Sequence, residues 1–285
     1  MITPLRTPKW IEPHLYAHRN FAELREQEID LLAQRLQSFR HEHPDVSVVI
    51  PAWNEGATIH KCLSSLAANK TSLKVEIIVI NNNSTDDLQR VLDRLGVRSY
   101  FEPRQGIAYA RQLGLQRARG TYYLCADADS LYPPNWIEHM IRPMQESGLI
   151  SAVYGRYAFV PPHGKSRRHL WLYEQLTGGL VLLRRKRQEF VNVLGLNMGF
   201  VAELGRVAGG FATSQVRVFD NAQNIEESED GLIAKRLQSK GRLQLVTGPQ
   251  TVVFTSPRKL LRDGSLLDAF TYRMRRHIGR LSQYL

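Results

Sequence analysis

Residues 46–56 read VSVVIPAWNEG: a β-branched run from Val46 to Ile50, interrupted only by Ser47, then a turn from Pro51 to Gly56. Such a run, bounded by Pro and Gly, predicts a buried strand that ends in a loop. The unit recurs along the chain. A helix carrying Ile59, Cys62, Leu63, Leu66 and Ala67 on one face leads to a second strand, Val75–Ile80 (VEIIVI), and the polar loop Asn81–Asp87. A helix to about Leu95, a third strand over Val97–Phe101 and a helix from about Ile107 to Ala118 follow. Thr121–Ala126 (TYYLCA) is the fourth strand and ends in Asp127-Ala128-Asp129. Helices alternating with almost continuously apolar strands predict an α/β fold, a mostly parallel sheet with helices on both faces. Ligands of such sheets bind beyond the carboxyl ends of the strands. The loops after strands one, two and four hold Asn54/Glu55, Asn81–Asp87 and Asp127/Asp129, so polar chemistry collects at that edge.

Around this core, Phe21, Leu24, Leu31, Leu32, Leu36 and Phe39 recur at helical spacing, which predicts an amphipathic helix within an N-terminal helical extension, residues 1–44. The main domain is expected over 45–255, with a basic C-terminal tail over 256–285. Past about residue 150 the alternation degrades. Val191–Ala212 is rich in Gly and small apolar residues, and the acidic cluster Glu226–Asp230 precedes a helical pattern through Ile233 and Leu237. A chain of 285 residues, 43% hydrophobic and 23% charged, can bury a core, which excludes a disordered protein. Two cysteines, Cys62 and Cys125, exclude a disulfide scaffold and are expected to be buried thiols. Met1–Pro13, with Arg6, Lys9 and Glu12 among its prolines, does not read as a signal peptide. A cytoplasmic protein is expected, and no apolar stretch is long enough to span a membrane.

Lys and Arg number 38 against 27 Asp and Glu, a formal net charge of +11 that favours an anionic partner. Nucleic acid, a phosphorylated substrate and an anionic membrane surface all qualify. Leu170–Leu183 is mostly apolar and lies between Arg167-Arg168 and Arg184-Arg185-Lys186-Arg187. It reads either as a segment lying peripherally on the inner face of an anionic membrane or as a core helix with a solvated basic end.

Asp127 and Asp129, two apart at a strand end, point toward the same side. Two such carboxylates suit a hard divalent cation, Mg²⁺ or Mn²⁺, that also takes oxygens from a substrate phosphate. A solvated acidic turn beside Ser130 and Pro133-Pro134 is the simpler reading. Glu229-Asp230 can cap the helix that follows, or Asp230 can act as a general base. Arg111, in the first turns of its helix, either reaches a phosphate or sits on a solvated face. Of the histidines, His277, beside the basic run Arg273–Arg276, is the one to watch.

Together these residues resemble the family 2 glycosyltransferases, whose nucleotide-sugar domain has the GT-A fold. Val46–Glu55 resembles the family's first strand and its P-A-aromatic-N-E loop, and Ile77–Asp87 (IIVINNNSTDD) its second strand and loop. Gln105–Thr121 is similar to the G-x-x-x-A-R-N-x-G segment, and Asp127-Ala128-Asp129 falls where the family has its metal-binding D-x-D. Gly195–Phe200 (GLNMGF), Gly209-Gly210-Phe211 and Glu229-Asp230 follow in the family's order. The resemblance implies a nucleotide-diphosphate sugar lying across the strand ends, its base and ribose near Pro51, Ala52, Asn54, Glu55, Asn81, Asn82 and Asn83. It implies a Mg²⁺ or Mn²⁺ ion on Asp127 and Asp129, and Asp230 as the base for an inverting attack. Gly209, Gly210, Phe211 and Glu229 would meet the acceptor, a glycan or a lipid-linked molecule. Arg111, Arg276 and His277 would hold the diphosphate. Asn81 replaces a common acidic residue, Trp53 a Tyr or Phe, and Gln112 an Asn. The Q-x-x-R-W of processive members is absent, so one sugar per encounter is expected.

Rival readings explain less. A haloacid-dehalogenase-type phosphohydrolase also ends an apolar strand in D-x-D, with Asp127 as nucleophile, but leaves the earlier loops without a role. A nucleotidyltransferase would need a Gly-rich basic loop where Pro51–Gly56 stands. A nucleic-acid-binding protein would account for the charge, but no recognition motif or interleaved aromatics accompany it, so no nucleic-acid partner is expected.

Overall fold

The computed structural model describes residues 3–184, 188–212, 228–258 and 260. Its helices and strands alternate as α1 (Glu26–Gln37), β1 (Val46–Ala52), α2 (Ile59–Ala67), β2 (Val75–Asn81), α3 (Leu88–Leu95), β3 (Arg98–Phe101), α4 (Ile107–Arg117) and β4 (Tyr122–Cys125). There follow β5 (Ser130–Leu131), α5 (Trp136–Glu146), β6 (Ile150–Tyr154), β7 (Tyr157–Phe159), α6 (Arg168–Arg184), β8 (Met198–Val201), α7 (Ala202–Val207), α8 (Glu229–Gln238), β9 (Arg242–Leu245) and β10 (Val253–Thr255).

Seven strands form one sheet in the order β3-β2-β1-β4-β8-β6-β9. β1 to β4 pair in parallel, β8 runs antiparallel between β4 and β6, and β9 is parallel to β6. In the central strand Val46, Val48, Val49 and Ile50 are fully buried. Each contributes about 1.5–3 kcal/mol by leaving water, which is why the β-branched run holds the middle of the sheet. One face is covered by α1, α2, α3 and α5, whose Leu32, Leu63, Leu92 and Met140 share a core with Val48 and Ile77. The other face packs Ala110 and Leu115 of α4 and Ile233 and Leu237 of α8 on Val49 and Ile78. The expected α/β architecture with helices on both faces is thus the observed one.

Two features depart from the periodic reading. The amphipathic pattern from Phe21 is broken, since Phe21–Glu23 forms a short 3-10 turn and Leu24 and Arg25 are extended before α1 begins. Beyond residue 150, where alternation fades, five short strands remain among the described residues, β6 to β10. Two of them, β7 and β10, join β5 in a small second sheet, in which Phe254 pairs with Leu131 and Thr255 with Ser130. This sheet brings the chain after β10 against the loop after β4.

The segment α6 is anchored from inside. Arg167, flanking the apolar stretch, is buried and pairs with buried Glu174 at 2.6 Å, and its Nε donates to the Phe159 carbonyl at 3.1 Å. Its charge therefore cannot serve a surface. Leu170 and Tyr173 pack on Phe159, while Leu172, Leu176 and Arg168 face solvent. Residues 185–187 of the second basic cluster lie outside the described residues. No described helix is long and apolar enough to cross a membrane.

Candidate active site

The carboxyl ends of β1, β2 and β4 lie side by side, with Ala52 opposite Asn81 and Val49 opposite Cys125. The loops that leave them are sewn together. Asn54, held at φ 52°, accepts at Oδ1 from the Thr85 amide (2.8 Å) and donates its own amide to Ser84 Oγ (3.0 Å). Gly56 donates to Asp86 Oδ2 at 2.7 Å. Asn81 is buried, donating Nδ2 to Gln89 (3.1 Å) and accepting at Oδ1 from Ser84 (3.1 Å). Asn82 is buried too, donating to the Arg104 carbonyl at 2.7 Å and accepting from the Gly106 amide at 2.8 Å. These Asn side chains brace the loops after β1 and β2 against one another and against the segment before α4. Pro51 is half-buried, Ala52 is buried, and Asn83, at φ 55°, is exposed.

The acids gather around two arginines. Asp127 follows β4; its backbone N–H donates to Tyr132 Oη at 2.8 Å, and Tyr132 Oη in turn donates to the Leu196 carbonyl at 3.1 Å. Arg111 on α4 approaches Asp127 Oδ1 at 3.1 Å, Glu229 Oε1 at 3.4 Å, and pairs with Asp230. The arginine expected to reach a diphosphate is instead buried, with its side chain only 2% exposed. Burial alone would lower its pKa, but the carboxylates of Asp127 and Glu229 more than offset this and raise it, so the guanidinium stays charged. It binds three acids from two distant parts of the chain, not solvent.

Glu229 and Asp230 begin α8, where Ser228 is the cap, its Oγ accepting from Gly231 at 3.2 Å. Both acids therefore sit in the first turn, where the helix dipole favours negative charge. Asp230 also accepts from the Gly195 amide at 2.8 Å through Oδ2. Gly195 has a second role: a Cβ there would overlap the Arg111 guanidinium, so only glycine leaves room for the arginine. Glu229, expected beside the acceptor, faces Arg111 with 5% side-chain exposure. Gly210 (φ 60°) and Gly209 (φ 88°) turn the chain in the left-handed region, and Gln112 Oε1 accepts from the Phe211 amide at 2.8 Å. Phe211 is buried against Tyr123 and Phe200, so it forms the floor of this region rather than an open platform.

Arg258, after β10, forms the second centre. Its guanidinium pairs with Glu55 Oε1 and lies 3.4 Å from Asp129 Oδ2. Glu55 is further held by Thr58 Oγ1 at 2.6 Å, and Asp129 by Thr255 Oγ1 at 3.4 Å. A guanidinium thus lies between the Glu55 and Asp129 carboxylates. Among the described residues no cluster of three or more His, Cys, Asp or Glu could hold a metal ion by itself. An ion on Asp129 and Asp127 would complete its shell with oxygens from a ligand. The two thiols are free and buried, and burial pushes Cys125 up to about 12. Arg276 and His277 lie outside the described residues.

The sequence matches a known family. A model described as glycosyl transferase family 2 aligns with residues 47–204, more than half of the chain. The chain belongs to glycosyl transferase family 2. Among curated relatives, a chondroitin synthase of Pasteurella multocida is 31% identical over 129 residues, 44% of this chain and 13% of that protein. An uncharacterised glycosyltransferase of Rickettsia conorii is 30% identical over 133 residues, 45% of this chain and 22% of the relative. The chain thus spans less than a quarter of the length of these relatives. A mannosyltransferase from Pyrobaculum calidifontis, solved with GDP-Man and Mn²⁺, superposes over 93% of this chain and 75% of its own, with TM-score 0.56 and 19% identity. That likeness establishes the GT-A fold.

Sequence reasoning named Asp127, Asp129, Glu229, Asp230 and Arg111 and missed Gly195, Tyr132 and Arg258 as members of the site. Gly195 stood in the quoted GLNMGF stretch, where a glycine beside a buried arginine has no sequence signature. Arg258 was one basic residue of a basic tail, distinguished only by the small sheet that delivers it.

Proposed function

We propose that this protein is an inverting, non-processive glycosyltransferase, moving one sugar from a nucleotide-diphosphate sugar to an acceptor hydroxyl with the help of Mg²⁺ or Mn²⁺. One observation carries the reading. Arg111 reaches from Asp127 at the end of β4 to Glu229 and Asp230 at the start of α8, so one of the two candidate cation-holding acids and the candidate base meet at a single guanidinium. The family membership and the Mn²⁺ and GDP-Man of the mannosyltransferase support it.

In this reading Asp129, with Asp127, holds the ion, which supplies neutralisation of charge on the departing diphosphate. Asp230 accepts the proton of the acceptor hydroxyl as its oxygen bonds to the anomeric carbon. The bond from that carbon to the diphosphate breaks on the opposite face, its electron pair leaving with the nucleotide diphosphate. Arg111 pairs with Asp230 and orients it, while the Gly195 amide fixes its second oxygen. Donor base and ribose lie along Pro51–Glu55 and Asn81–Asn83, and the acceptor approaches over Gly209 and Gly210. The acceptor is a glycan or a lipid-linked molecule, and the protein works in the cytoplasm.

Thermal unfolding tests this directly. A rise in Tm with one of UDP, GDP, ADP or CMP that also requires Mn²⁺ is expected and names the donor's base. No rise with any pair, in a protein that melts cooperatively, contradicts the reading. A contact with an anionic membrane surface through Leu172, Leu176 and the exposed Arg168 would accompany a lipid-linked acceptor. The chain is then expected to sediment with anionic liposomes at low salt and not with neutral ones; equal behaviour with both removes the membrane contact.

A further inference from the structure

The two arginines among these acids differ in one respect that matters for a charged ligand. Arg111 is enclosed by three carboxylates and 2% exposed, whereas the Arg258 side chain is 50% exposed above acids that are nearly buried, Glu55 at 11% and Asp129 at 10%. Arg258 is also placed by backbone. Thr255 pairs with Ser130, the Ser256 amide donates to the Asp129 carbonyl at 3.1 Å, and the Arg258 amide donates to Ser256 Oγ at 3.3 Å. The guanidinium is therefore held within reach of Asp129 even when its side-chain pairs break. Asp129 is one of the two acids assigned to the divalent ion. A dication and a guanidinium on the same carboxylate repel each other, and the ion brings with it an anion that a guanidinium binds well.

We propose that Arg258 is a displaceable counter-cation of the donor site: it competes with the divalent ion for Asp129 and, once displaced, pairs with the nucleotide diphosphate. The geometry separates two jobs, a buried arginine that fixes the acids and a mouth arginine that changes partner. Release leaves Glu55 with Thr58 as its hydrogen-bond donor, so that acid is not stranded. The result is a coupling between ion and diphosphate, since each is bound better once the other has drawn Arg258 away from, or replaced it at, the carboxylates.

This inference rests on the donor-site reading above, and the test keeps the two apart. Mn²⁺ binding to the full chain is measured by the loss of the free-ion electron paramagnetic resonance signal, without nucleotide, in wild type, Arg258→Ala and Arg258→Lys. UDP, GDP, ADP and CMP affinities are then measured by calorimetry at saturating Mn²⁺. Arg258→Ala is expected to bind Mn²⁺ alone about 3- to 10-fold more tightly and the nucleotide diphosphate about 10-fold more weakly, with Arg258→Lys between the two. Unchanged or weaker Mn²⁺ binding by Arg258→Ala overturns the competition. Unchanged nucleotide affinity overturns the exchange onto the diphosphate. Wild-type protein that shows Mn²⁺-dependent binding of none of UDP, GDP, ADP and CMP overturns the donor-site reading itself.

Discussion

Asp230→Asn is expected to lower transferase turnover by about 10²–10⁴-fold, the usual contribution of a general base, with donor affinity close to wild type. The amide keeps the volume and the oxygen that accepts from the Gly195 amide. Arg111 retains Asp127 at 3.1 Å and Glu229 at 3.4 Å, so its charge remains compensated, while the new Nδ2 takes the place of the Oδ1 that pairs with the guanidinium, a cost that urea unfolding of the variant measures. What disappears is the carboxylate that takes the acceptor's proton. The comparison of turnover with the affinity of the matching nucleotide diphosphate separates base from cap: equal losses in both would make Asp230 a structural member of the first turn of α8.

The second large effect concerns stability. Arg111→Leu leaves Asp127, Glu229 and Asp230 together without their cation, with side-chain exposures of 20%, 5% and 11%. Removing one partner of a buried ion pair costs about 3–5 kcal/mol, because the remaining charge is neither solvated nor neutralised. Urea unfolding is expected to show a loss of that size. Gly195→Ala acts on the same centre through sterics, displacing the guanidinium rather than deleting it, and is expected to destabilise by a smaller amount. Wild-type stability in Arg111→Leu would mean that the three acids are not held as an ionised cluster.

The half of the fold up to β4 was legible because β1 and β2 are seven-residue strands rich in β-branched residues, which set an alternation with striped helices that the shorter β3 and β4 continue. That regularity located Asp127 and Asp129 at a strand end and collected the polar loops at one sheet edge. The rest was harder for a physical reason. β8 and β10 have four and three residues, too short for any period to register, and they pair with strands distant in sequence. The delivery of Arg258 to Asp129 depends on one of them. Arg111 shows the other limit. Its position near a helix start suggested an anion contact, and only the packing of α4 over Gly195 and α8 reveals that its anions are the protein's own carboxylates. The phosphohydrolase alternative is weakened by the family match, which spans residues 47–204 and so includes the earlier loops that alternative leaves without a role.

The most direct test of the cation and donor assignment is a calorimetric titration of the matching nucleotide diphosphate into wild type and Asp129→Asn, each with and without Mn²⁺. Wild type is expected to bind in an Mn²⁺-dependent manner and Asp129→Asn to lose that dependence. Identical Mn²⁺-dependent binding by both proteins would place the ion elsewhere and contradict the account.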